Sequence, residues 1–310
     1  MKQYLGMAKE ILDKGVVKTD RTGTGTVSLF SPTNFECDLR EGFPLLTTKK
    51  MFFRGIVGEL LWFLSGSSNI KPLIDKDVKI WDGNGYDYYI KRFNRGDFDR
   101  LIDTDNIKLP LTFEEWKQAI RDSSESEPDI GDLGNIYGKQ WRNFGSQTVQ
   151  RTGYDQVRGV IKSLKNNPDS RRHIINAWNA YDIEEGEMAL PPCHVMYQFY
   201  VEGDLLHMKM YQRSADVFLG VPFNIASCGL LLTLIAREVG LTPARLIIDY
   251  GDAHIYLNHV EQIQEQITRE PYTLATIEVR EGVSLGELQE ADITIANYQS
   301  HGRIKGVMAV

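Results

Sequence analysis

The sequence predicts a mixed α/β fold of the α+β kind, built as a single domain, and two observations carry that prediction. Short segments with strand-like alternation are interspersed with two dense apolar runs, 51–64 and 225–239, each long enough for a buried helix. No internal repeat, low-complexity stretch or linker divides the 310 residues, and 42% hydrophobic with 25% charged residues is the ordinary balance of a folded core.

Taken in order, residues 1–16 form an opening amphipathic helix with Tyr4, Leu5, Ile11 and Leu12 on its apolar side. Asp20-Arg21-Thr22-Gly23-Thr24-Gly25-Thr26 has no helical period and reads as a turn, after which 27–35 alternates as a strand. The helix at 51–64 is stopped by Ser65-Gly66-Ser67-Ser68. About 83–131 is rich in Asp, Arg, Asn and Tyr and reads as a surface insertion, with short helices near 86–92 and 112–121. Val157, Val160, Ile161 and Leu164 mark a helix over 155–164, ended by Asn166-Asn167-Pro168. Strands follow at 173–178, 194–201 and 205–211, the last two joined through Glu202-Gly203-Asp204 as a hairpin. The run 225–239, closed by Gly240, is the central buried helix; 245–250 is another strand and 257–269 another helix.

A net charge of −7 argues against a dedicated nucleic-acid binder while leaving room for a local basic pocket. Cys37, Cys193 and Cys228 stand far apart, which fits neither a disulfide scaffold nor a zinc site. Without a signal peptide or a run of 18 apolar residues, a cytoplasmic protein is expected, with no membrane partner.

The chemistry concentrates in a few places. Pro191-Pro192-Cys193-His194 puts a thiol behind two prolines that fix the backbone, and Gln212-Arg213-Ser214-Ala215-Asp216 supplies an arginine able to stabilise a thiolate. A lone cysteine is more commonly a small buried apolar residue, and Cys37 and Cys228 read that way. Arg21, Arg171, Arg172 and Arg213 each stand beside small polar residues, among them Ser214, as a phosphate site requires; singly, each also fits a solvated surface arginine. Glu59, inside an apolar run, is either a buried general acid/base or a residue on an exposed stripe. Asn224 is either the cap of the long helix or an amide that donates to O4 and accepts from N3–H of a uracil-like ring. His254 and Tyr256 fit a sugar hydroxyl or a satisfied core.

Read together, the segments Asp20 to Gly25, Phe43-Pro44-Leu45-Leu46-Thr47-Thr48-Lys49-Lys50, Gly58-Glu59-Leu60-Leu61-Trp62-Phe63-Leu64, Tyr137-Gly138-Lys139-Gln140-Trp141-Arg142, Asp169-Ser170-Arg171-Arg172, Ala189 to His194, Gln212 to Gly220, Pro222 to Ser227 and Met308-Ala309-Val310 closely resemble the thymidylate synthases of the cysteine-dependent, folate-using type. The resemblance covers nearly the whole chain. It implies one catalytic domain whose sheet forms a homodimer interface, the substrate dUMP, and 5,10-methylenetetrahydrofolate as donor of one carbon and a hydride, with no metal and no NAD. It implies that Cys193 adds to C6 of dUMP, that Asn224 holds the base, and that Glu59, Tyr137, His194 and Asp216 complete the catalytic set. Arg21, Arg213, Ser214 and Gln212 would hold the substrate, with Arg171 and Arg172 reaching across from the other subunit and His254 and Tyr256 on the 3′-hydroxyl. Trp81, Asp216, Gly220 and Val310 would contact the folate, and Lys49 its glutamate tail.

Three departures stand out: Asn84 where relatives carry a second tryptophan, Cys228-Gly229 where Tyr-Ala is usual, and Gly302 in place of proline. They keep a dUMP hydroxymethylase in view as the alternative product. A role in binding messenger RNA is secondary at most, given the charge. A cysteine hydrolase pairing Cys193 with His194 is disfavoured, because adjacent strand residues point to opposite faces.

Overall fold

A computed structural model of the chain describes residues 1–20, 22–98, 110–124, 130–145 and 153–308. Among these are ten α-helices: α1 (Lys2–Lys14), α2 (Phe53–Ser65), α3 (Lys71–Asp75), α4 (Asp82–Asn94), α5 (Phe113–Asp122), α6 (Tyr137–Arg142), α7 (Gln156–Asn166), α8 (Ala180–Glu184), α9 (Gly220–Val239) and α10 (Val260–Ile267). The nine strands are β1 (Val16–Lys18), β2 (Thr26–Phe30), β3 (Phe35–Asp38), β4 (Ile174–Asn176), β5 (His194–Glu202), β6 (Leu205–Asp216), β7 (Thr242–Tyr256), β8 (Thr276–Val279) and β9 (Ile293–Ala296). This is the mixed α/β fold expected. Two compact units emerge: Met1–Leu61, Gln156–Asn176 and Cys193–Val310 form the first, Trp62–Asp155 and Ala177–Pro192 the second.

The first unit is built on a seven-stranded sheet in the order β1-β2-β7-β6-β5-β4, with β3 also paired to β7. At 15 residues, β7 is long enough to take β3 and β2 in succession along one edge and β6 along the other. Strands β6 and β7 run parallel, so the chain must cross over between them, and α9 is that crossover. Apolar nearly all round, α9 is mostly buried between Val221 and Ala236, with Phe223, Asn224 and Thr233 half-buried, and ends at Gly240, whose φ of 77° is the left-handed cap glycine adopts freely. Among the described residues it is the one helix long and apolar enough to cross a bilayer, and 72% of its most apolar window lies inside the protein, as in a core helix.

Several boundaries move, each for a physical reason. Helix α9 starts at Gly220, five residues ahead of expectation, because Pro222 in a first turn has no N–H to lose. Asn224 is therefore inside the helix and is not its cap. The entry is tied instead by Asp216, whose Oδ1 accepts from the N–H groups of Phe218 (3.0 Å) and Leu219 (3.2 Å). Strand β7 continues past 250 to Tyr256: Asp252 and His254 hide the apolar signal, but their neighbours Ala253 and Ile255 are fully buried. Ser31, at φ 54°, breaks the expected 27–35 strand into β2 and β3. On α1 the buried stripe is Tyr4, Met7, Ala8 and Ile11, with Leu5 and Leu12 only half-buried beside it. Segment 257–269 opens with a 3-10 turn, Leu257–His259, before α10. Strand β1 and the small β8–β9 sheet carry too little pattern to have been read from sequence.

In the second unit, the stretch read as a surface insertion has a core of its own. Helices α4 and α5 pack through Tyr86, Tyr89, Phe113 and Trp116, with Trp116 fully buried and its Nε1 donating to the Ile130 carbonyl at 2.9 Å. Asp82 and Lys117 form an ion pair inside it, each side chain 8% exposed. Helix α5 starts with a capping box, Thr112 with Glu115.

Candidate active site

The site residues of the first unit are arranged by the β5–β6 hairpin, the end of β7 and the first turns of α9. His194 pairs with Gln212 across the hairpin, and the Arg213 N–H donates to the Cys193 carbonyl at 2.9 Å. Cys193 and Arg213 thus face one another where the hairpin opens, with Cys193 half-buried. The ladder slips by one residue between His194 and Met196, a bulge that re-aims side chains next to the thiol.

Behind them lies a polar cluster built from three elements. Gln212 of β6 donates through Nε2 to Asn224 Oδ1 of α9 (2.9 Å) and to the Ser214 carbonyl (3.1 Å). Its Oε1 is buried without a hydrogen-bond partner among the described residues. His194 of β5 shares a hydrogen bond with Asn224, and its Nδ1 lies 2.8 Å from the Tyr197 hydroxyl. Burial drives the His194 pKa down to about 4, against which the Asn224 bond acts only weakly, so the imidazole is neutral at physiological pH. Of the two readings of Asn224, the helix-cap one is excluded by its place inside α9.

The parallel register of β6 and β7 sets Asp216 beside His254 and Ser214 beside Asp252. His254 is edge-on to Tyr256 at 5.3 Å, and both are half-buried. Glu59 lies on α2 and is 9% exposed, so it is the buried acid and not a stripe residue. Asp20 organises the turn ahead of β2: one carboxylate oxygen accepts from the N–H and hydroxyl of Thr22 and the other from the Gly25 N–H (2.7 Å), which holds its pKa below the usual carboxylate range. Arg21 and Val310 lie outside the described residues. Arg171 and Arg172 are exposed in the loop before β4, away from any role as core ion pairs.

Lys49 sits differently from an anion-holding residue. It is 5% exposed, donates to the Phe218 carbonyl, and lies 3.9 Å above the Phe218 ring; desolvation lowers its pKa to about 7 although Asp216 opposes this. A cleft of about 470 Å³ opens beside it, with Leu219, Phe223, Met51 and Ile304 on its walls and Lys50 and Arg303 exposed at its rim. Sequence reading missed Lys50, Arg303 and Tyr197; the lysine and the tyrosine stood one and three residues from residues already chosen.

In the second unit, Trp81 (4% exposed) and Tyr137 (6%) belong to an aromatic nest with Trp62, Phe63 and Trp141. The departures at 228–229 lie in packed interior, not on a cavity wall: Cys228 is buried, which pushes its thiol pKa up, and a Cβ on Gly229 would meet Pro44 at 2.6 Å. No group of three or more His, Cys, Asp or Glu suited to a metal ion occurs among the described residues.

Comparison with known proteins agrees with this geometry. The family described as "Thymidylate synthase" matches residues 2–310. A thymidylate synthase of Mesoplasma florum is 45% identical over 313 residues, covering all of both chains, and one of Listeria innocua is 43% identical over 319, again covering both. A bifunctional dihydrofolate reductase-thymidylate synthase of Paramecium tetraurelia is 44% identical over 99% of this chain and 61% of its own. With the match running from end to end, this chain belongs to the thymidylate synthase family.

Proposed function

We propose that the chain converts dUMP to dTMP with 5,10-methylenetetrahydrofolate as the second substrate, releasing dihydrofolate. The carrying observation is the Gln212–Asn224–His194 cluster, in which Gln212 and His194 fix the orientation of the Asn224 amide behind Cys193. A uracil ring needs one donor at O4 and one acceptor for N3–H, and this amide supplies both. A neutral imidazole next to it does not compete as a cation for the developing charge.

In this reading the Cys193 thiolate adds to C6, Asn224 and its neighbours hold the enolate at O4, and C5 becomes the carbon nucleophile. The folate, when bound, supplies the one-carbon unit and the hydride. Glu59 and Tyr137 move protons at the base, and Arg213 and Ser214, with Arg21, bind the phosphate. His254 and Tyr256 take the 3′-hydroxyl. The cleft beside Phe223 suits a flat ring system with an anionic tail, and Asp216, Gly220, Trp81 and Val310 are the residues assigned to the folate. For the acidic tail we assign Lys50 and Arg303 ahead of Lys49, since only the first two are exposed at the rim. Both compact units belong to one catalytic domain, and a homodimer in the cytoplasm, completed by Arg171 and Arg172 of the opposite copy, is the working form.

The test is product analysis with the purified chain, dUMP and methylenetetrahydrofolate. Equal amounts of dTMP and dihydrofolate support the reading, with a loss of about 10³-fold or more in kcat for Cys193→Ser. A nucleotide heavier by one oxygen, formed without dihydrofolate, overturns it in favour of hydroxymethylation.

A further inference from the structure

Asp252 has no role in the reading of the sequence, yet its carboxylate gathers His254, Ser28 and Lys18 at the end of β7. Its Oδ1 lies 3.0 Å from His254 Nδ1 and accepts from the Ser28 hydroxyl at 2.9 Å, while Lys18 Nζ approaches Oδ2 at 3.6 Å. The arrangement follows from the sheet. Asp252 and His254, two apart on β7, share a face, and Ser28 stands directly opposite His254 across the β2–β7 ladder. Ser28 is 2% exposed, so the carboxylate is anchored by a buried hydroxyl.

A carboxylate only accepts hydrogen bonds, so at Nδ1 the ring must be the donor. A neutral imidazole has a single N–H, which leaves Nε2 with a lone pair. We propose that Asp252, anchored by Ser28, is a positioning residue that locks His254 in the Nδ1–H tautomer, so that the pocket recognises the sugar 3′-hydroxyl as a hydrogen-bond donor. This rests on the assignment of His254 to that hydroxyl. Asp252 touches no substrate; it acts through the ring, in the way a carboxylate orients a histidine behind a metal or a nucleophile. Loss of Asp252 frees the ring to present Nε2–H, which meets the hydroxyl's oxygen in place of its proton and surrenders the selected geometry.

Asp252→Ala is a mild change for folding, since this side chain is 40% exposed. It is expected to raise KM for dUMP about 10-fold with kcat within about twofold, the size of one lost hydrogen bond to an oriented partner. Asp252→Asn, whose amide N–H₂ can donate to Nδ1 and hold the ring in the opposite tautomer, does not recover that loss. With 2′,3′-dideoxyuridine monophosphate as probe, the wild-type chain and Asp252→Ala have the same KM. Nitrogen-15 NMR of the unliganded full chain shows a protonated Nδ1 in His254, lost in Asp252→Ala. An equal rise in KM for both nucleotides, or an unprotonated Nδ1 in the wild type, overturns the proposal. An unchanged dUMP KM in His254→Ala removes the sugar assignment itself and the proposal with it, whereas a raised KM there beside an unaffected Asp252→Ala overturns the proposal alone.

Discussion

At His194 a single imidazole is buried between Tyr197 and Asn224, and burial holds its pKa near 4. The sign of the consequence follows from proton binding. Below about pH 6.5 the unfolded chain takes up a proton that the folded chain refuses until about pH 4, so stability is full above 6.5 and falls as the pH drops through that window, by up to about 3 kcal/mol. Urea unfolding at pH 7 and pH 4.5 measures it: the drop is expected to shrink by roughly that amount in His194→Asn, and an equal drop in both proteins refutes the assignment. Sequence reading chose this histidine for its neighbours in a motif. Its neutrality comes from burial, which depends on segments far apart in the chain: Tyr197 is on the same strand, but Asn224 arrives on a helix thirty residues later.

Helices α4 and α5 show the same division one scale up. Their existence was legible near 86–92 and 112–121, since caps and apolar spacing are local signals. That Asp82 and Lys117 would pair in a dry interior was not, because a lysine and an aspartate 35 residues apart look like solvated charges in a polar stretch. Among the described residues Asp82 Oδ1 has no hydrogen-bond partner, and Lys117 is what compensates the carboxylate. Lys117→Met strands that charge and is expected to cost about 3–5 kcal/mol, whereas Lys117→Met with Asp82→Leu recovers most of the loss. A double variant no more stable than the single one contradicts this. Asp82 opens α4 directly after Trp81, so the same pair is expected to steady the segment that carries the tryptophan.

For the whole molecule, the sheet of the first unit leaves Tyr200 63% and Tyr211 38% exposed, on strands whose alternate residues are core. Aromatic rings on an uncovered sheet are costly in water and suit a second copy of the chain. If Arg171 and Arg172 complete the opposite copy's site, two inactive variants compensate one another: mixing Cys193→Ser with Arg171→Ala/Arg172→Ala after joint refolding regenerates up to about a quarter of wild-type activity, the statistical share of hybrid sites spared both defects. No recovery on mixing, with sedimentation showing dimers, argues that each chain completes its own site.

By itself the sequence determined the fold class, the hairpin and the two dense helices, and it supplied the candidate site residues, because periodicity, turn glycines and contiguous motifs are properties of neighbours along the chain. It also brought Cys193 and His194 together, for the same reason. Only the tertiary structure decided that Asn224 lies inside α9, that Glu59 is buried, that Lys49 turns inward onto Phe218 while Lys50 stays outside, and that Asp252 stands behind His254. Those outcomes depend on strand register and on which face of a helix meets the sheet. Neither is written in any short window of residues, since each is fixed by packing between segments that the sequence holds far apart.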